Sequence, residues 1–498
     1  MNTQFLLSAL KVKQIYGTVP KEVIAIEQDS RQAVSGCLFI CTTGFTFDGH
    51  DFYKEALENG ASIIVSERNL DMDFEKSALV IVSDTKKAMA ILANRFFNYP
   101  STKMTTFGVT GTNGKTTVTN LIYSMLREEK IQAGLSGTNG ITINDELKST
   151  ENTTCDTITN QRMLKSALNN GISHMIMEVS SHGIAQGRLN GIDFDIVTFT
   201  NLSHDHLDFH GTMEQYGYTK GILFAQLGND LTKNKYIVLN YDDPWFETYK
   251  NISAHEVISY GLQEQSDFYA NKIIFHEDFT EFTLHTPEGS YCAKMRLLGT
   301  FNIYNAMAAI ASLYASGSSV ERLVTILQSI SPISGRLEKL DINAPVTLYL
   351  DYAHTPNAIE SSIQAVLPFK TNRLIYLAGT GGDRDDEKRP LMAEKASTAD
   401  FVILTINDPR YENTENILRN MEKGMQHNNY VLIADRKEAI TYAIEISEPG
   451  DILIIAGKGQ ENYQIIENTK QPYSDTRIIK EVSYRKFKKS KPTLNKNS

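Results

Sequence analysis

The chain reads as an α/β protein of three domains, and three observations carry that reading. Its 498 residues exceed what one hydrophobic core serves. Short apolar runs alternate with amphipathic helical patterns along most of its length, the order that builds mostly parallel, helix-covered sheets. Finally, the stretch FGVTGTNGKTTVTNLIYSML (107–126) passes from an apolar run through a glycine-rich turn into a helix. Such turns bind ligands beyond the carboxyl ends of parallel strands.

In the first block, the runs CLFI, ASIIV and ALVIV are expected strands and HDFYKEALENG a helix. The helix-like TKKAMAILANRFF is followed by NYPSTK, where Pro100 acts as a breaker. The second block opens with the glycine-rich stretch. After Lys115, Val118, Leu121, Ile122, Met125 and Leu126 fall on one helical face. HMIMEV, DIVTFTNL and YIVLN read as buried strands. SISPISG, around Pro332, is the expected linker. The third block alternates VTLYLDY, RLIYLAG, FVILTI, YVLIA and DILIIAG with helical segments. The expected domains are therefore 1–102, 103–333 and 334–498.

Bulk composition sets the class. Hydrophobic content of 41% and charged content of 22% are those of an ordinary globular protein. A net charge of -10 offers no electrostatic footprint for nucleic acid, and the basic tail KFKKSKPTLNKNS reads as a solvated end. No 18-residue apolar run is present, so no membrane insertion is expected. The start MNTQFLLSALKVKQ lacks the charged region of a secretory signal. Cys37, Cys41, Cys155 and Cys292 form no CxxC pair or disulfide framework and are expected to be reduced core or near-core residues. A cytoplasmic, monomeric enzyme acting on small molecules is expected.

In GVTGTNGKTT, glycines let backbone N–H groups converge on an anion at a helix N-terminus. Lys115 would reach the β- and γ-phosphates, and the Thr116 or Thr117 hydroxyl would hold Mg²⁺. The strict P-loop would place its first glycine at Val109, which argues against a kinase or GTPase loop but not against ATP. Glu178 ends an apolar strand, where a bare carboxylate needs a cation. TNLSHDHLDFHG then crowds His204, Asp205, His206, Asp208 and His210 after the next strand, a density that suggests metal or acid–base work. The run misses the His-x-His-x-Asp-His pattern by one residue, Phe209. A polar loop with satisfied histidines is the plainer alternative.

The loop resembles that of the Mur ligase family, whose signature is Gly-Thr-Asn-Gly-Lys-Thr, matched by Gly111, Thr112, Asn113, Gly114, Lys115 and Thr116. Folylpolyglutamate synthases share part of it. The resemblance runs from about Asp29 to Asp475, with several motifs in order. It implies an ATP-dependent amide ligase with a UDP-binding N-terminal domain, a P-loop ATPase-like central domain and a Rossmann-like C-terminal domain. Lys115, Glu178, His206 and Lys220 would be its catalytic residues. Glu178 and His206, with Thr116, would hold Mg²⁺. Lys220, in MEQYGYTK, would be carbamylated by CO₂ and ligate a second Mg²⁺.

The resemblance also implies that Asn302 and Asn305 of FNIYNA approach the adenine. Arg336 would contact the phosphates, and Asp351 and His354 would face the ribose and base. Ser30 would lie at the uridine diphosphate end, although Phe45-Thr46-Phe47 replaces the usual His-Gln-Ala. Asn152, Thr153, Thr154, Ser180, Gln186 and Arg188 would hold the muramoyl dipeptide. In the branch adding the third residue of the peptidoglycan stem, Gly-Asp-Arg, Asp-Asn-Pro-Arg and Gly-Lys-Gly-His-Glu grip the incoming amino acid. The matching positions are Arg384, Asn407, Asp408, Pro409, Arg410, Gly457 and Glu461, with the acid and amide of the tetrapeptide exchanged and Gln460 in place of the histidine. Arginine forks suit the side-chain carboxylate of meso-diaminopimelate and Glu461 its ammonium. That amino acid is the expected substrate, beside UDP-N-acetylmuramoyl-L-alanyl-D-glutamate. The alternatives are L-lysine or another amino acid, a folylpolyglutamate-synthase-like ligase, or a silent binding paralogue.

Overall fold

The structure is a computed structural model and describes residues 1–44 and 47–488. Three sheet-centred units follow one another along the chain. The first holds five strands, Gln14–Gly17, Ala25–Glu27, Cys37–Ile40, Ala61–Ser66 and Ala78–Ile81. CLFI is buried at every position, as befits a strand covered on both faces. The helix Thr85–Phe96 starts at Asp84, whose side chain accepts from the Lys87 N–H. Pro100 opens a short 3₁₀ turn, Pro100–Lys103, where its missing N–H is no loss.

The central unit is an eleven-stranded sheet. Thr105–Thr110 lies inside it, parallel to His174–Glu178 on one side and Ile196–Phe199 on the other. Beyond the parallel core, Phe268–Phe275, Thr280–Thr286 and Gly289–Met295 form an antiparallel meander that the run-by-run sequence reading did not anticipate. Burial alternates along Thr280–Thr286 because only one face packs on helices. Cys292, expected in or near the core, is exposed, since Ala293 takes the inward side at the next position. The other three cysteines are buried thiols. Helix Thr300–Ala315, all but encased, packs with Lys115–Glu128 over the sheet.

The third unit has six strands, ordered Glu338–Lys339, Thr347–Leu350, Ile452–Ile455, Leu374–Thr380, Phe401–Ile406 and Tyr430–Leu432. All but the first are parallel. A separate hairpin, Tyr463–Ile466 with Thr469–Pro472, stands beside it. SISPISG carries no helix or strand and joins the second unit to the third. Among the described residues no helix is long and apolar enough to cross a membrane, and residues 489–498 of the basic tail lie outside them.

Candidate active site

The glycine-rich loop leaves the carboxyl end of Thr105–Thr110 and closes on helix Lys115–Glu128. Gly111 and Gly114 have φ of 147° and 90°. A Cβ at Gly111 would stand 1.8 Å from Thr200 Oγ1, and one at Gly114 2.5 Å from Asn305 Oδ1, so only glycine fits either place. The Thr112 N–H donates to the Asn201 carbonyl (2.7 Å) and the Asn113 N–H to Asn201 Oδ1 (3.1 Å). Lys115 Nζ donates to the carbonyls of Gly111 and Thr112, both at 2.8 Å.

Strand register sets Glu178 opposite Val109, directly beside this loop. Its buried carboxylate accepts from the Thr116 hydroxyl (3.0 Å) and from the Thr138 N–H and hydroxyl (both 3.1 Å). Arg336 Nη2, from the third unit, donates to Thr116 Oγ1 at 2.9 Å. Lys220, on helix Met213–Ala225, is 1% exposed, donates to the Gly111 carbonyl at 2.9 Å and stands 4.6 Å over the Tyr216 ring. Two lysine amines thus share one carbonyl oxygen. Burial lowers the Lys220 pKa far below the lysine range, and neighbouring Lys115 lowers it further. Burial lowers Lys115 as well, against the pull of Glu178 and Asp205.

The five-residue cluster after the next strand does not converge. His206 has a left-handed φ of 57° and its Nε2 lies 3.4 Å from Asp205, while burial pushes its pKa down to about 3. His204 turns to Asp385 (3.1 Å) and Asp205 to Lys388 (2.8 Å), both in the third unit. His210 packs on Tyr216, and His182 meets His206 edge-on. Among the described residues, no three His, Cys, Asp or Glu side chains are grouped to hold a metal ion by themselves.

A cavity of about 320 Å³ opens beside the loop, walled by Thr117, Asn305, Asp351, His354, Arg336 and aromatic rings such as Tyr260 and Phe301. Asn302 is not on its wall. It donates to the Leu298 carbonyl (2.8 Å) and accepts from Asn305 Nδ2 (3.0 Å), so it orients Asn305 from behind. Burial raises the Asp351 carboxyl to about 6 and lowers His354 to about 4.

A second cavity, about 370 Å³, lies between the central and third units. Asn152, Thr153 and Ser180 line it from one side; Arg384, Asn407, Asp408, Arg410, Gly457 and Glu461 line it from the other. Thr154 is buried behind, donating to the Glu178 carbonyl and accepting from the Ser180 N–H, each at 2.9 Å. Gln186 accepts from Arg188 (3.0 Å), which also donates to the Thr154 carbonyl (2.9 Å), and neither lines the cavity. Ser30 stands apart in the first unit, donating to Glu55 at 2.5 Å. Phe45 and Thr46 lie outside the described residues, and Phe47 is exposed.

The third unit's loops carry a defined charge pattern. Lys458, fully buried, donates to Asp408 (3.0 Å) and Glu461 (2.8 Å), and Tyr352 O–H donates to the other Glu461 oxygen (3.0 Å). Asn407 Oδ1 accepts from Arg436, which forks onto Asp475 at 3.0 and 2.6 Å with both side chains inaccessible to water. The Pro409 carbonyl accepts from the Glu412 N–H (3.2 Å), turning the chain so that Arg410 adopts φ 49°. Among the described residues Arg410 Nη1 donates only to the Gly382 carbonyl (2.9 Å), and Arg384 meets no carboxylate. Thr138, Tyr352, Lys388, Arg436 and Lys458 escaped the sequence reading. Lys458 lies inside the segment that matches Gly-Lys-Gly-His-Glu, whereas isolated Arg436 carries no local signal.

Comparison with known proteins finds relatives over nearly the whole chain. Residues 22–97 match the Mur ligase family catalytic domain, 109–313 the Mur ligase middle domain, and 335–459 the Mur ligase glutamate ligase domain. UDP-N-acetylmuramyl-tripeptide synthetase 2 of Oceanobacillus iheyensis is 50% identical over 98% of this chain and 99% of that protein. A UDP-N-acetylmuramoyl-L-alanyl-D-glutamate--2,6-diaminopimelate ligase of Geobacillus kaustophilus is 44% identical over 92% and 94% of the two chains. The corresponding L-lysine ligase of Staphylococcus aureus is 40% identical over 98% and 99%. With a glycine-rich strand-to-helix loop, two cavities and three matched domains in one order, the chain belongs to the Mur ligase family of ATP-dependent amide ligases.

Proposed function

We propose that the chain joins meso-2,6-diaminopimelate to the D-glutamyl residue of UDP-N-acetylmuramoyl-L-alanyl-D-glutamate, consuming ATP in peptidoglycan precursor synthesis. The observation that carries the choice of amino acid is the pair Arg384 and Arg410, two guanidinium groups at one cavity that, among the described residues, pair with no carboxylate. Arg384 is exposed and Arg410 half-buried, and a planar guanidinium at a cavity suits a substrate carboxylate. The same reaction with L-lysine is the second reading, favoured by Asp408 and Glu461 on the same cavity, the acids that its side-chain ammonium would meet.

In this reading the smaller cavity takes the nucleoside of ATP, against Asn305, Asp351 and His354. The backbone of residues 111–114 and Lys115 hold its phosphates. Lys115 Nζ would exchange its two loop carbonyls for phosphate oxygens. Thr116 Oγ1 and Glu178, already in contact, are hard oxygen donors of the kind Mg²⁺ takes, with His206 at the same cavity. Bound there, Mg²⁺ would neutralise phosphate charge. Lys220 fits carbamylation because its depressed pKa leaves a neutral amine: CO₂ adds to nitrogen, a C–N bond forms and a proton leaves.

The substrate carboxylate attacks the γ-phosphorus and ADP departs, leaving an acyl phosphate. The amino acid's amine then attacks that carbonyl, phosphate leaves and the nitrogen loses a proton. Asn152, Thr153 and Ser180, with Thr154, Gln186 and Arg188 behind them, would position the dipeptide, and Ser30 the uridine diphosphate. Residues 1–102, 103–333 and 334–498 would bind sugar nucleotide, ATP and amino acid respectively, in a cytoplasmic monomer. Catalysis rests on positioning and charge neutralisation. The test is phosphate release from ATP with the UDP-muramoyl dipeptide and a panel of amino acids. Release with meso-diaminopimelate supports the reading. Release with L-lysine alone overturns the choice of amino acid, and no release with any amino acid overturns the ligation.

A further inference from the structure

Two crossed contacts tie the loop after Ile196–Phe199 to the loop after Leu374–Thr380. Lys388 Nζ donates to Asp205 Oδ1 at 2.8 Å, and His204 Nε2 lies 3.1 Å from Asp385 Oδ2. Lys388 and Asp205 are 7% and 3% exposed although they come from different units. Charges so far from water are tolerable only against each other, so the pair belongs to the closed arrangement of those units. Each partner adjoins a working residue. Asp205 precedes His206, whose left-handed φ of 57° must be imposed by its surroundings. Lys388 begins the helix Lys388–Ala396 directly after the Arg384 loop, and Asp385 accepts from the Lys388 N–H at 3.3 Å. Both loops line the cavity between the units.

We propose that Lys388 is a positioning residue: acting through Asp205, it couples docking of the third unit to the placement of His206 and Arg384, so that phosphate side and amino-acid side are completed in one event. It touches no reacting group in this account. The kinetic part of the test rests on the ligase reading given above, whereas the scattering part does not.

The variants are Lys388→Met, Asp205→Asn and the two together. Each single change is expected to lower kcat/KM for the incoming amino acid about 100-fold, as loss of one partner of a buried pair does. The double variant should fall no more than about threefold below the worse single, because one interaction has been removed twice. Affinity for a non-hydrolysable ATP analogue, measured by calorimetry, should fall less than kcat/KM does, since Gly114, Thr117 and Asn305 of its cavity stay in the central unit while Arg336, Asp351 and His354 come from the third. A purely structural lesion would lower the two alike. Lys388→Arg, which keeps the charge, should recover most of the loss. In small-angle X-ray scattering with the ATP analogue and UDP-muramoyl dipeptide, Lys388→Met should have a larger radius of gyration than wild type. Losses that multiply in the double variant, or an unchanged radius in Lys388→Met, overturn the proposal. Should Lys388→Met fail to fold, the uncharged, hydrogen-bonding pair Lys388→Gln with Asp205→Asn takes its place, and the scattering reading decides: expansion supports the coupling, an unchanged radius overturns it.

Discussion

Arg410 offers the sharpest handle on amino-acid choice. Replacing it with alanine removes one guanidinium and one hydrogen bond, to the Gly382 carbonyl at 2.9 Å. The backbone is a fair control, because φ 49° is as unfavourable for alanine as for arginine. A charge-assisted bond to a carboxylate contributes about 1.5–3 kcal/mol, which corresponds to a factor of about 10–150. That loss should appear in kcat/KM for meso-diaminopimelate, mainly as a higher KM, in a phosphate-release assay at saturating ATP and UDP-muramoyl dipeptide. L-lysine has no side-chain carboxylate, so its slower turnover should change less than about threefold. Arg410→Lys keeps the charge but not the fork and should fall between. Equal losses for both amino acids would mean that Arg410 merely holds the loop through Gly382. Wild-type behaviour with diaminopimelate would refute the carboxylate-reading argument outright.

Incubation with ¹³C-labelled bicarbonate should give a carbamate resonance in wild type and none in Lys220→Ala; a signal surviving that change would place the adduct elsewhere. Gly111→Ala should destabilise by about 1–3 kcal/mol more than Gly171→Ala in urea titrations, since its Cβ meets Thr200 Oγ1 at 1.8 Å whereas Gly171, also at positive φ, has nothing within 4 Å. His354 drops from 6.5 to about 4 on folding, so the unfolded chain binds the extra proton between those values and stability falls as pH falls through that window. Between pH 8 and 5 this amounts to about 2 kcal/mol, and His354→Gln should lose that part of the acid sensitivity; an unchanged pH profile would contradict it. Arg436→Met leaves Asp475 unpaired in a dry site and should cost about 3–5 kcal/mol, with a change under about 0.5 kcal/mol counting against the pair.

How much of this was legible depended on how far apart the partners lie in the chain. The glycine-rich loop needs strand, glycines and lysine within ten residues, so its strand-to-helix turn was legible from order alone. Glu178 was legible as a carboxylate at a strand end, but its partner Thr138, 40 residues away, was not. Asn302 matched a pattern and was expected at the base. Only the packing shows that it holds Asn305 by a 3.0 Å bond from behind. The antiparallel meander was missed because period-two alternation in half-buried strands leaves no continuous apolar run to notice. Lys388 and Asp205 are 183 residues apart and neither stands out from the charged loops around it.

The amino-acid loop shows why substrate choice is the least legible property. Asn407-Asp408-Pro409-Arg410 presents one acid and one base, and a reading by composition leaves their net effect undecided. What decides it is who neutralises whom. Lys458 takes up Asp408, Arg436 orients Asn407 while its own charge goes to Asp475, and Arg410 is left without a paired acid among the described residues. The exchange of amide and acid therefore leaves the arginine facing the cavity free. A carboxylate introduced at position 407 would bring a second acid to Arg436 beside Asp475, in a site with no water to screen it. Asn407→Asp should therefore destabilise the chain, read in a urea titration, while leaving the preference between diaminopimelate and lysine unchanged. A switch in that preference would show that position 407, and not Arg410, sets the selection.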